Sequence, residues 1–375
     1  MKNTVASDSE DDQPGAEELN KGHSKNSLLA VGYNTDRSFV VRGNRIGVFS
    51  HTDDDELKYV TTINNVAAPS GQFFSPRKAM LHERDRSMLL MKPGEKHNVY
   101  KMDLEYGKVV EEWNVDEIMS VDEIVPDSKY AQMTANQTLI GMNHNAIFRI
   151  DPRLAGKKRV DSESKQYTTK YSFRCAAATG KGELAVGSDK GEIRLYNKLN
   201  TRAKTQLPGL GDPIIGIDTT ENGKWVIATC KTYLLLVCTE IKESSGQLGF
   251  QKSMGSEKPV PKRLQLKPEH VAALGMPVAF TAAKFNTGEG EEKSIVTSTG
   301  PYVITWNFRR VKQGKFYDYS IKKYSDTIVA DNFKFGQDRS IIVTLPENVE
   351  MVSKSKLSTP AKLLKSRNMV VNSPY

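Results

Sequence analysis

The chain has 375 residues, of which 38% are hydrophobic and 26% charged, with a formal net charge of +8. That composition belongs to a folded body with a sizeable core and excludes a disordered polymer. The start, MKNTVASDSEDDQPGAEE, has no secretory apolar segment. The most apolar uncharged run, 271–283, is too short to span a bilayer. Three cysteines in so long a chain exclude a disulfide framework and point to a reducing compartment, the cytoplasm or the nucleus.

Residues 1–20 carry six acids (Asp8, Glu10, Asp11, Asp12, Glu17 and Glu18) against Lys2 alone, so a disordered acidic tail is expected over 1–25. Beyond it one pattern returns seven times: an apolar run, a short polar turn, and a second apolar run. It occurs at 39–41 and 46–49 about Gly43-Asn44, at 88–91 and 99–102 about Pro93-Gly94, and at 139–142 and 147–150 about 143–145. It recurs at 184–186 and 193–196, at 225–229 and 233–237, at 295–297 and 303–306, and at 341–344 and 349–352. Each is a β-hairpin by period and turn chemistry.

Anchored at Val40, Leu89, Leu139, Leu184, Val226, Ile295 and Ile341, the hairpins step by 49, 50, 45, 42, 69 and 46 residues. That is the length of a four-stranded propeller blade. Several hairpins are preceded by another strand, as at 121–125, 214–218 and 329–333. The long step contains 240–262, rich in Gly, Ser, Lys and Glu, which is expected to be a surface insertion. A short helix is predicted over Pro268–Leu274, with Pro at its start. A pair of β-sandwiches also explains many short strands, but not a near-constant step through the whole body. The predicted fold is all-β: a seven-bladed propeller of four-stranded blades over 26–353, followed by a flexible basic tail, 354–375. Tails so poor in apolar residues are expected to be dispensable for folding. Trp225 and Trp306, inside apolar strands, are expected to anchor the core.

Several long strings carry a family resemblance. NSLLAVGYNTDRSFVVRGNRIGVF (26–49), VYKMDLEYGKVVEEW (99–113) and GDPIIGIDTTENGKWVIATCKTYLLL (211–236) resemble the vacuolar import and degradation protein 27 family. So do HNAIFRIDPRL (144–154), KGEIRLYN (190–197) and RLQLKPEH (263–270), with the nearest likeness in the plant branch. The resemblance covers roughly 26–350. It implies a WD-repeat-like propeller and a link to vacuolar import and degradation of cytosolic proteins. Members of the family typically carry a further N-terminal region, including a pleckstrin-homology-like domain, ahead of the acidic linker at which this chain starts. The usual Trp-Asp ending of a WD repeat is replaced here; Trp306-Asn307 and Tyr196-Asn197 come nearest.

Reactive constellations are scarce. The six histidines are scattered without metal-ligand spacing, and no C-x-x-C, phosphate-binding P-loop or G-x-S-x-G motif occurs. Cys230 and Cys238 read as structural thiols, His144 as a turn residue, and Asp116, Glu117, Asp122 and Glu123 as a solvated face. No cofactor, metal site or catalytic residue is assigned. An enzyme with residues converging on the channel would leave acids or histidines at equivalent blade positions, and none is evident. The expectation is a non-enzymatic interaction scaffold with protein partners, including acidic segments, and without nucleic acid.

One stretch inside the body is strongly basic. Residues 307–323 hold Arg309, Arg310, Lys312, Lys315, Lys322 and Lys323 against Asp318 alone, and are expected to form a rim loop and outer strand, serving either as a solvated face or as a surface that binds an acidic segment. The protein's own acidic N-terminal tail is one candidate. Phe308-Arg309-Arg310 is also similar to the Phe-Arg-Arg-Gly signature of phosphoinositide-binding propellers, with Val311 in place of Gly. Contact with a membrane surface is the alternative that likeness implies.

Overall fold

In the computed structural model, which describes residues 24–242, 246–256 and 258–361, each of the seven hairpins is the central pair of an antiparallel sheet. Blade one is β1 (Asn26–Val31), β2 (Arg37–Arg42), β3 (Arg45–His51) and β4 (Leu57–Ile63). Blade two is β5 (Lys78–His82), β6 (Ser87–Met91), β7 (Asn98–Asp103) and β8 (Lys108–Asn114). Blade three is β9 (Glu123–Pro126), β10 (Leu139–Asn143), β11 (Ala146–Ile150) and β12 (Arg159–Gln166). Blade four is β13 (Phe173–Ala178), β14 (Leu184–Ser188), β15 (Ile193–Tyr196) and β16 (Thr205–Leu207). Blade five is β17 (Gly216–Thr219), β18 (Trp225–Thr229), β19 (Leu234–Cys238) and β20 (Lys262–Leu264). Helix α1 (Pro268–Leu274) follows it, over the bounds its proline and apolar spacing predict. Blade six is β21 (Lys284–Phe285), β22 (Ser294–Thr299), β23 (Tyr302–Asn307) and β24 (Tyr319–Lys323), with helix α2 (Phe308–Lys312) between its last two strands. Blade seven has three described strands, β25 (Ala330–Phe333), β26 (Ser340–Thr344) and β27 (Val349–Ser353). The expected acidic tail lies outside the described residues up to residue 23, and the basic tail lies outside them beyond residue 361.

The second strand of each blade is apolar on both faces because both faces are covered. β6, β10 and β14 are buried at every position, whereas the outermost strands β4 and β8 are mostly exposed. Six apolar clusters fill the six junctions between consecutive blades. Phe39, Leu90 and Tyr100 lie between blades one and two, for example, and Ile227, Phe285 and Trp306 between five and six. The junction of blade seven with blade one holds no such cluster among the described residues.

That junction closes by polar contacts instead. The Asn26 amide donates to the Pro346 carbonyl at 2.9 Å and its side chain to the Leu345 carbonyl at 2.8 Å. Arg42 pairs with Glu347, and the Ser340 hydroxyl donates to the Asp55 carboxylate at 2.6 Å. Neither end of the described chain is exchanged into the other's sheet.

Two expectations change. The 240–262 segment is not confined to the surface: Leu248, Phe250 and Met254 drop into the cluster between blades four and five, beside Leu195 and Val237. Three apolar residues are enough to fasten an otherwise polar excursion. Of the tryptophans, Trp306 is 0% exposed and its indole N–H donates to the Phe316 carbonyl at 3.0 Å. Trp225 is only half-buried, with Phe308 edge-on and Lys262 Nζ 5.3 Å above its ring.

Trp306→Ala should therefore cost about 3–5 kcal/mol in urea unfolding, and Trp225→Ala about half as much. The closing seam also gives stability a pH dependence. Burial first, then Lys334, holds the His51 imidazole down at about 4, with Asp36 acting the other way. An unfolded histidine titrates near 6.5, so the unfolded chain takes up this proton first. Stability is whole above about pH 6.5 and falls by about 2–3 kcal/mol as pH drops towards 4. Unfolding of His51→Gln at pH 7 and 4.5 should show that part of the slope removed.

Candidate interaction surface

The six basic residues singled out in the sequence do not form one patch. Asn307 caps α2 by accepting from the Arg310 amide, and the helix turns Phe308 and Val311 into the core, where both are buried. This corrects the expected loop: apolar residues three apart between charged ones are a short amphipathic helix. Arg309, Arg310, Lys312 and Lys315 stay together at this end of blade six. Arg310 pairs with Asp318 at 2.6 Å, while Lys312 lies 4.9 Å over the Phe308 ring and 3.8 Å from Glu291. Lys322 and Lys323 are elsewhere. The register Trp306↔Tyr319 to Tyr302↔Lys323 puts them at the opposite end of β24. Because Phe308 and Val311 point inward, the Phe-Arg-Arg-Val string is a helix turn and not an open arginine clamp.

β24 has a second neighbour. Ile321 exchanges both backbone hydrogen bonds with Ser358, at 2.9 and 3.0 Å, and Leu357 is buried between blades six and seven. Lys354 pairs with Asp338 at 3.1 Å. The start of the expected flexible tail, 354–358, is thus fastened, because one leucine and one charge pair suffice for a short clasp.

Along the axis the innermost strands bring together acids that lie far apart in sequence. Glu123 on β9 pairs with Lys78 on β5 at 2.6 Å, and Asp218 on β17 with Lys129 at 2.9 Å. Lys284 on β21 donates to the Asp331 main-chain carbonyl at 3.3 Å and feels Asp331, Asp218 and Lys78. Burial lowers the pKa of Lys284 and raises that of Asp331, each opposed by the other's charge. The Asp331 carboxylate also accepts from the Thr281 hydroxyl at 2.7 Å. These acids stand at the first, third and second positions of their strands, opposite Met142, Ile227 and Val343, and so do not repeat one blade position. Each strand contributes only one, so no local motif announces them. Two of the three carboxylates are ion-paired with lysines, Glu123 with Lys78 and Asp218 with Lys129, and paired charges suit structure better than proton transfer.

One mouth of the channel is stoppered by the loops that join first and second strands. Tyr33 stacks on Phe335 at 4.4 Å, and Tyr130 stands edge-on to both at 6.1 and 6.0 Å. Asp85 accepts from the Tyr33 and Asn34 amides at 2.6 Å, and Gln132 donates to Asp85 at 2.6 Å and to the Val31 carbonyl at 3.0 Å. Gly288 packs so closely on Gly336 that a Cβ there would come within 2.5 Å of its Cα.

The other face, built from the connectors between blades, is the open one. Three of these connectors present apolar side chains to solvent: Phe73, Leu210 and, at 94% exposure, Ile118. Ile118 stands on a stiff support. The buried Asp116 carboxylate accepts from the Ile118 and Met119 amides at 2.8 and 2.7 Å and pairs with Arg159 at 2.7 Å. Burial opposes its ionisation, but the Met119 amide, Arg159 and the Ile118 amide outweigh this and hold its pKa at about 2. Asp116 is thus not part of a solvated face; of the four acids grouped there, only Glu117 and Asp122 are exposed. Beside Ile118 lies a cleft of about 840 Å³ between blades two and three, lined also by Met119, His144, Lys157 and Arg159. Among the described residues no cluster of acids, histidines and cysteines is placed to hold a metal, the three cysteines are free, and no helix is long and apolar enough to cross a membrane.

Seven radial sheets with an open connector face define a propeller of the WD40-like class. The comparisons agree: residues 24–370 match the family described as the VID27 C-terminal WD40-like domain. Vacuolar import and degradation protein 27 of Schizosaccharomyces pombe is 50% identical over 366 residues, 93% of this chain and 46% of that protein. The Saccharomyces cerevisiae protein of the same name is 41% identical over 360 residues, 92% of this chain and 46% of its own length. The chain belongs to the VID27 family. It spans about half the length of the curated relatives it matches. Among solved structures, the β-propeller domain of Myceliophteria thermophila Cps50 (Swd1) superposes with a TM-score of 0.61 at 10% identity. That match covers 88% of this chain and 96% of the other, a likeness of fold alone.

Leu357→Ala should cost about 2 kcal/mol in urea unfolding. A chain ending at Ser353 should lose at least as much, since it also lacks the Lys354–Asp338 pair and the Ser358 pairing.

Proposed function

We propose that this chain is a non-enzymatic interaction scaffold that docks a protein partner on its open connector face, working in the cytoplasm. Its place in vacuolar import and degradation is carried over from the name its relatives bear. The observation that carries the reading is Ile118, an almost fully exposed apolar side chain on a loop braced by a buried ion pair. Ile118 borders a cleft that also carries Met119, Lys157 and Arg159, so apolar and charged contacts are offered together beside one rigid loop. The neighbouring cleft mixes Lys157 and Arg159 with Glu117, so the partner is an apolar segment with charges of both signs. A second, separate contact is favoured by the cluster at α2, where Arg309 and Lys315 remain exposed. That cluster suits an acidic partner segment, and its weak point is salt.

Capture from native extract tests the reading. Ile118→Asp should lose the principal partners with the melting temperature unchanged, because the side chain touches solvent. Charge reversal at Arg309 and Lys315 should remove only contacts that fade above about 0.15 M salt. If Ile118→Asp leaves every partner in place, the connector face is not the docking surface. Turnover in an activity panel would sink the scaffold reading as a whole.

A further inference from the structure

Three consecutive residues between β5 and β6, Glu83, Arg84 and Asp85, hold φ of 48°, 60° and 59°. One left-handed residue other than glycine is uncommon, and three in a row persist only where the surroundings force them. Here they are forced from two sides. Asp85 accepts from the Tyr33 and Asn34 amides and from Gln132, each at 2.6 Å, and the Arg84 amide donates to the Gln132 carbonyl at 2.9 Å. Glu83 pairs with Lys101 at 2.8 Å and accepts from Ser87 and Gln137 at 3.0 and 2.9 Å. Strain held this firmly gathers at ligand clamps and active sites. The residue that leaves this turn is Arg86.

Arg86 and Arg37, at the start of β2, line one cleft of about 680 Å³ between blades one and two. Both are exposed, and among the described residues neither guanidinium has a hydrogen-bond or ion-pair partner. Two of the three carboxylates lining the cleft are engaged elsewhere: Asp85 in the turn, and Asp103 by the Glu105 and Tyr106 amides at 2.8 and 3.1 Å. Glu105 is the third. A second cleft, of about 650 Å³, shares Thr61, Ile63, Leu104 and Glu105 with the first and runs on between β4 and β8. Val66, Met102 and Val109 line it, and Tyr106 in the β7–β8 turn stands 73% exposed at its edge. The two clefts make one elongated groove, with two free arginine forks at one end and an apolar floor beyond.

We propose that this groove docks an extended segment of a partner protein in which acidic residues adjoin aliphatic ones. Its carboxylates meet Arg37 and Arg86, since a guanidinium fork without a carboxylate of its own is matched bidentately by one from a partner. Its aliphatic side chains lie against Ile63, Leu104 and Tyr106, where apolar surface is covered on docking. The braced turn fixes Arg86 before the partner arrives, so little ordering of that side of the groove is left for binding to supply. The groove lies across blade two from the Ile118 cleft, and the two contacts are independent.

Fluorescence polarisation on the full chain tests the docking. The probes are short labelled peptides that join Asp or Glu to Leu in every order, and the same set with Lys in place of the acids. The acidic set should bind, with an affinity that falls as salt rises past about 0.15 M. Arg37→Glu/Arg86→Glu should weaken the bound peptides at least about tenfold, and Tyr106→Asp in the same direction. The melting temperature should stay unchanged in both, because these side chains are exposed. Ile118→Asp and Arg309→Glu/Lys315→Glu should bind the peptides as the unaltered chain does. Binding of the Lys set as tight as that of the acidic set overturns the proposal, and so does an array in which nothing binds. Full affinity in Arg37→Glu/Arg86→Glu, with the loss appearing in Arg309→Glu/Lys315→Glu instead, would also overturn it and give the acidic segment to the α2 cluster.

Discussion

A propeller blade is a sheet with two apolar faces and no way to cover either alone, so the ring must close for any blade to be stable. In this protein six of the seven junctions are crossed by the chain and filled by apolar clusters. The seventh is crossed by no connector among the described residues and depends on Asn26, Arg42, Glu347, Asp55 and Ser340. Hydrogen bonds and ion pairs are directional, whereas apolar contact is not. The polar seam therefore fixes how blade seven meets blade one, and the apolar junctions adjust around it. His51 lies at the same seam, which is why a single half-buried imidazole links acidity to closure.

The axis follows the same logic at the centre. Seven innermost strands converge, and charged groups such as Lys284 and Asp331 on them are withdrawn from water. Glu123 and Asp218 are tolerable there because Lys78, from β5, and Lys129, from the loop after β9, reach them, and Asp331 because it accepts from Thr281 near Lys284. Removing one member leaves an uncompensated charge, which costs more than the pair contributes. With one mouth stoppered by Tyr33, Tyr130 and Phe335, the connector face carries accessible irregular surface. Ile118 is there.

The architecture was legible because its signal is repeated. All seven hairpins read from apolar runs and turn residues are the second and third strands of the blades, and α1 has the predicted bounds. What escaped depends on single residues or on distance. Leu248, Phe250 and Met254 are islands in a polar stretch, and Leu357 is one leucine in a basic tail. The α2 turn was signalled by Asn307 and by the three-residue spacing of Phe308 and Val311, but the run of positive charge dominates those residues. Lys322 and Lys323 look continuous with Arg309 and Arg310 in sequence, yet an antiparallel strand carries them to the far end of the blade. The axial carboxylates sit one to a strand and become a group only when the ring closes.

Among the described residues the ring closes without strand exchange, and this has a mechanical consequence. Six junctions are reinforced by covalent connectors, so force applied to them must first unfold a blade. The junction between blades seven and one has no connector, and both the first and the last described strands adjoin it. Tension between Asn26 and Ser353 would load that seam, the Asn26–Pro346 main-chain bond and the side-chain pairs beside it, before the ladders inside the blades. The ring would part there as a split washer does, with every blade still folded and two apolar faces newly bared to solvent.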